Sequence, residues 1–174
     1  MTVDQTLALW NVIGTWVAGL STLAAVVVAL YLAGRSERIR LKVHVGLREI
    51  VEGDGTPSKE HLSFEVTNLS DRPITINAVG WAIGRGKRRR FAMQPTSGRF
   101  TSQYPKELTY GKQANFMVAF ANTPNWPKDF VIGFVRDSSL KTLVAQVHTS
   151  VGTIIEVKPE KGLFNRLQEV GQDA

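Results

Sequence analysis

The chain has 174 residues, no cysteine, and 21 Lys+Arg against 15 Asp+Glu, a formal net charge of +6. The missing cysteines exclude a disulfide framework, a thiolate nucleophile and a cysteine-ligated metal. A basic surplus suits an anionic partner, either nucleic acid or phospholipid, and where the charge sits decides more than its sum.

Between Asp4 and Arg35 the only ionisable side chain is Tyr31, and Leu7–Ala33 is apolar. At ~1.5 Å per residue this run reaches roughly 40 Å, beyond the ~30 Å of a hydrocarbon core, so it spans a bilayer with some tilt. Trp10 and Trp16 fall near one interface and Tyr31 near the other, as aromatic belts do. A cleaved signal peptide needs a basic n-region and a short apolar stretch; here the tail carries Asp4 and no Lys or Arg, and the run is too long. Arg35, Arg38, Arg40 and Lys42 follow the helix, opposed only by Glu37. Basic flanks stay cytoplasmic, which predicts an N-terminus outside and the rest of the chain in the cytosol. Ser21, Ala25, Ala29 and Ala33 form a smooth face that supports homo-oligomerisation through the helix.

From Arg40 onward the hydrophobic period changes to two, as in strands with one buried face. Leu41, Val43, Val45 and Leu47 alternate with polar or small residues, and Gly53–Pro57 reads as a turn. Leu62, Phe64 and Val66 follow, then Ile74, Ile76, Val79, Trp81 and Ile83. A hairpin turn at Gly84–Lys87 returns the chain through Phe91 and Met93, which the alternation assigns to the core. After an irregular stretch or short edge strand between Pro95 and Gly111, Phe116, Val118 and Phe120 read as a fifth strand. Phe130, Ile132 and Phe134 read as a sixth, and Asp137–Ser139 as its turn into a seventh at Leu143, Ala145 and Val147. Val151–Val157 extends or adds a strand. About seven short strands without a long helix between them predict a mainly β fold, an antiparallel sandwich or a barrel. Leu163, Phe164, Leu167 and Val170 then recur at helical spacing, giving a short amphipathic C-terminal helix that docks on its own domain or meets a partner.

The stretch Phe64-Glu65-Val66-Thr67-Asn68-Leu69-Ser70-Asp71-Arg72-Pro73-Ile74-Thr75-Ile76 resembles the second-to-third strand corner of immunoglobulin-like bacterial domains, where an Asn turns the chain and a Pro restarts it. Tyr110-Gly111-Lys112 before a strand and Asp137–Lys141 in a hairpin fit the same pattern. The chain is thus similar to small bacterial or phage-encoded proteins in which one N-terminal anchor precedes a cytosolic immunoglobulin-like sandwich. The resemblance implies a fold and carries no activity. The expected organisation is residues 1–34 as tail and transmembrane helix, 35–40 as a basic linker, 41–158 as the sandwich, and 159–174 as the C-terminal tail.

The most distinctive polar feature is the run Arg85, Lys87, Arg88, Arg89 and Arg90, with Arg99 beyond it and no acid among them. Gly84 and Gly86 permit the positive backbone dihedrals of a tight turn. The run reads as a solvated edge, or, with Arg35, Arg38 and Arg40, as an anionic-lipid contact. Nucleic acid is a further reading, against which aromatic stacking partners are sparse. The spacing around Gly84 and Gly86 does not make a phosphate-binding loop. His44, His61 and His148 lie on separate strands, and neither a metal site, a cofactor site nor a catalytic residue is indicated. Trp126, between two prolines, is either a rigid partner-binding anchor or a cap on the end of the sandwich. These features together predict a non-enzymatic, membrane-anchored interaction module that binds a protein partner, the anionic leaflet or both. The alternatives are a membrane-tethered nucleic-acid-binding protein and an enzyme with a loop-built site.

Overall fold

The computed structural model describes residues 3–36, 39–51, 59–120, 123–136 and 139–172. The turn expected at Gly53–Pro57, and Asp137 and Ser138, lie outside them. Two compact units meet at Arg38 and Ile39.

The first unit is one helix, α1 (Val3–Ser36). Its segment Trp10–Gly34, 25 residues at a mean hydropathy of 2.1 and with none of it buried, is long and apolar enough to cross a membrane. Three of its hydroxyls are satisfied within the helix. Thr15, Ser21 and Thr22 donate to the carbonyls of Asn11, Val17 and Ala18 at 2.8, 2.6 and 2.6 Å. Such back-bonding removes polar groups that lipid would leave unpaired.

The second unit is mainly β. Strands β1 (Leu41–Ile50), β2 (Lys59–Asn68) and β6 (Gln113–Ala119) form one sheet in the order β1-β2-β6. Strands β3 (Ile74–Ile83), β4 (Arg90–Met93), β7 (Val144–Thr149) and β8 (Ile154–Val157) form the other in the order β4-β3-β7-β8, and β5 (Lys106–Leu108) pairs with the start of β3. All strand pairings named here are antiparallel. Among the described residues no strand belongs to both sheets, so the architecture is two facing sheets rather than a closed barrel. Val45, Phe64 and Phe116 from one sheet meet Ile76, Trp81 and Val147 from the other in a single apolar core. The Phe64 and Trp81 rings lie 5.1 Å apart, edge to face.

Within β3 the buried residues change parity, from Ile74 and Ile76 to Val79, Trp81 and Ile83. The pairing with β7 slips between Ile76 and Ala78, and this bulge accounts for the change of phase. The corner between β2 and β3 is organised by Asn68, which is fully buried. Its side-chain amide donates to the carbonyls of Arg72 and Leu108 at 2.9 and 2.8 Å, and its Oδ1 accepts from the Ser70 N–H at 2.8 Å. One side chain therefore satisfies backbone groups of three segments.

Two expectations fail. Phe130, Ile132 and Phe134 do not form a strand: α2 (Trp126–Phe130) continues into a π-helical turn, Val131–Val135. Pro127 pre-sets the first helical turn, and Pro127, Phe130, Val131 and Val135 are buried at helical spacing. The run Phe-Val-Ile-Gly-Phe-Val satisfies both periods, so alternation alone selects the wrong one. Trp126 accordingly opens a helix instead of sitting in a loop. Phe91 and Met93 do not enter the core either. Arg90 pairs with Ile83 and Ala92 with Trp81, so these two take the inner face, and Phe91 and Met93 point outward, 62% and 58% exposed. The 3-10 turn Gly86–Arg88 shifts the return strand by one residue, which reverses its faces.

Helix α3 (Lys161–Gln172) docks on its own domain, burying Leu163 and Leu167. Its start is pinned to β1. The Glu160 N–H donates to the Val45 carbonyl at 2.8 Å, and its carboxylate takes a two-pronged contact from Arg48 at 2.8 Å on each oxygen. Gly46 permits this, since a Cβ there would overlap the Glu160 carboxylate. Arg48 also reaches Glu65 at 2.8 Å, and His44 stands 3.9 Å from Glu160. The guanidinium holds the Glu160 carboxyl below its ordinary value, and the two carboxylates raise the Arg48 pKa in turn.

Candidate functional site: the basic hairpin

The β3–β4 hairpin is built by its glycines. Gly84 and Gly86 take φ of 91° and 55°, conformations that side chains resist. The Gly84 N–H donates to Thr142 Oγ1 at 3.0 Å, which ties the hairpin to the 3-10 turn Leu140–Thr142.

The basic run divides in two. Arg89 pairs with Glu156 and lies over the Phe91 ring, 5.3 Å from its centre. Glu156 is itself held by Gln146 at 2.8 Å. Arg90 turns inward and donates to the Val135 carbonyl at 2.8 Å, capping the π-helical turn. By contrast, Arg85, Lys87 and Arg88 are exposed on the turn and have no carboxylate partner among the described residues. Phe91 and Met93 stand exposed on the adjoining outer face. The hairpin thus joins three uncompensated cations to an aromatic ring and a thioether.

The other predicted cations are elsewhere. Arg40 sits beside the Asn68 corner, its N–H donating to Ser70 Oγ at 2.7 Å and its carbonyl accepting from Leu69 at 2.8 Å. The corner adjoins the start of β3 and the hairpin adjoins its end, ten residues away and roughly 30 Å along the strand. Arg40 and the hairpin therefore occupy opposite ends of the sandwich. Arg99 reaches over Phe100, 5.9 Å from the ring centre. Arg35 lies in α1 without a described side chain, and Arg38 is outside the described residues.

Trp126 is half-buried, stacked between Phe120 and Phe130 with centroids 5.6 and 4.8 Å away, and 6.3 Å from Trp81. Its ring is part of the packing at that end of the core. Sequence reasoning missed the exposure of Phe91 and Met93, and the signal for it, the length of the loop before Arg90, depends on the 3-10 turn.

The histidines do not converge. His61 is buried with its ring edge-on to Phe100, and His148 is half-buried with Nε2 unpaired. Among the described residues no group of three His, Asp or Glu side chains is placed to hold a metal ion. Burial pushes the Tyr104 phenol up to about 12, and its ring stacks on Phe116 at 4.4 Å.

No protein-family model and no curated protein matches the chain. Solved structures similar to it include these two. One is the putative ApaA protein from Bordetella pertussis, at 13% identity and a TM-score of 0.34, covering 70% of this chain and 89% of that one. The other is a Northeast Structural Genomics Consortium target, SoR45, at 7% identity and a TM-score of 0.29, covering 71% and 81%.

Proposed function

We propose that the protein is a membrane-anchored, non-catalytic interaction module, with α1 spanning a bacterial inner membrane and the sandwich on the cytosolic side. Its hairpin receives a protein partner with an acidic surface. The observation that carries this reading is the coincidence, on one hairpin, of Arg85, Lys87 and Arg88, which have no carboxylate partner among the described residues, with exposed Phe91 and Met93. Arginine, aromatics and methionine are the residues that interfaces concentrate, and uncompensated cations select an anionic counterpart.

Distance favours a protein over the leaflet. The hairpin stands roughly 30 Å along β3 from the end that joins the anchor. Surface charge is screened over ~8 Å at physiological ionic strength, so the leaflet holds the hairpin only if the domain lies flat.

Photo-crosslinking tests this in cells. A photoreactive phenylalanine replaces Phe91 in the full chain. The expected result is a discrete protein adduct that R85S/K87S/R88S abolishes. Adducts to lipid alone would overturn the reading in favour of leaflet contact, and adducts to nucleic acid in favour of tethering.

A further inference from the structure

A second surface lies at the same end of the sandwich. The 3-10 turn that accepts the Gly84 hydrogen bond also forms one wall of an open cleft of about 310 Å³. Its walls are Leu140, Leu143, Pro159 and Phe164, and the two charged residues lining it are Lys141 and Lys158. Among the described residues no carboxylate lines the cleft. The acids two residues to either side of Lys158 are paired elsewhere, Glu160 with Arg48 through both oxygens and Glu156 with Arg89. Both lysines are exposed, whereas Leu143 is buried and Leu140 and Phe164 are half-buried at the edge of the core.

The two lysines bring positive charge to the cleft, and most of the remaining wall is apolar. The volume is at the lower end of ligand pockets, ~300–1,000 Å³, and suits one large side chain. We infer that the cleft binds an apolar residue with an adjacent carboxylate, the C-terminal residue of a polypeptide. Its side chain packs on Leu140, Leu143, Pro159 and Phe164, and its terminal carboxylate lies between Lys141 and Lys158. Capture of a C-terminal carboxylate is an established mode of peptide recognition. The inference deepens the partner reading above, because it supplies an anchor for the partner beside the hairpin, but the cleft can be tested without the partner.

The probes are N-acetyl-alanyl-phenylalanine and its C-terminal amide, titrated into the full chain in nanodiscs of zwitterionic lipid and followed by side-chain NMR. The acid is expected to shift Leu140, Leu143 and Phe164 saturably and to bind about tenfold tighter than the amide, the worth of two exposed ion pairs. K141Q/K158Q is expected to bring the acid down to the affinity of the amide with an unchanged melting temperature. R85S/K87S/R88S is expected to leave peptide binding intact, so a failed crosslink at Phe91 and a failed cleft titration are separate results. Equal binding of acid and amide, or shifts confined to residues outside the cleft, would overturn the inference.

Discussion

Basic side chains at two places in this domain do opposite things with the same charge. On β1, Arg48 lies between Glu65 and Glu160 and fastens α3 to the sheet. On the hairpin, Arg85, Lys87 and Arg88 face solvent with no carboxylate within the described residues to answer them. The aromatics repeat the contrast: Trp126 is stacked between two rings, and Phe91 is mostly bare. The net charge of +6 therefore does not locate a binding surface, because several of the cations counted in it already face carboxylates. What marks a surface is charge left without a partner beside apolar area left without a cover.

The contrast can be broken most forcefully at Trp126. Trp126→Ala removes the stacking on Phe120 and Phe130 and is expected to cost about 3 kcal/mol in denaturant unfolding. A loss under 1 kcal/mol would mean that the indole is free for a partner. Arg48→Met comes next. It leaves two half-exposed carboxylates unanswered, and after solvent screening about 1–2 kcal/mol should be lost, with α3 exchanging amide protons faster than the strands.

Acid sharpens the same point. Glu160 has a lowered pKa in the folded state, so its share of stability is fully present above the unfolded carboxyl value. That share is lost as pH falls through the folded value. The stability gap between the wild type and Arg48→Met should therefore hold at neutral pH and narrow below about pH 4. A gap that stays constant down to pH 3 would assign the effect to packing. At the small end, R85S/K87S/R88S should move stability by no more than about 0.5 kcal/mol, as surface changes do.

Much of the fold was legible because alternation and turn chemistry agreed. The β1 and β2 repeats, the Asn68 corner and the C-terminal helix followed from Val43, Phe64, Asn68 and Leu167 alone. The failures share a cause. Phe130–Val135 and Arg90–Met93 are short segments in which a one-residue change of period or register moves every side chain, through the helical start at Pro127 in one and the 3-10 turn Gly86–Arg88 in the other. The Arg90 bond to the Val135 carbonyl links the two failures directly. At the site, the glycines of the hairpin were readable. Which cations find acids was not, since Glu156 and Glu160 lie far away in sequence from Arg89 and Arg48.

The central proposal is that the hairpin stays clear of a bilayer spanned by α1. The protein lacks cysteine, so single-cysteine probes need no background removal. A fluorophore at Lys87→Cys and one at Arg40→Cys, read in nanodiscs containing quencher lipid, compare the two ends of the sandwich. The account predicts strong quenching at position 40 and little at position 87, equal in anionic and zwitterionic discs. Quenching at position 87 that matches position 40 and grows with anionic lipid would contradict it.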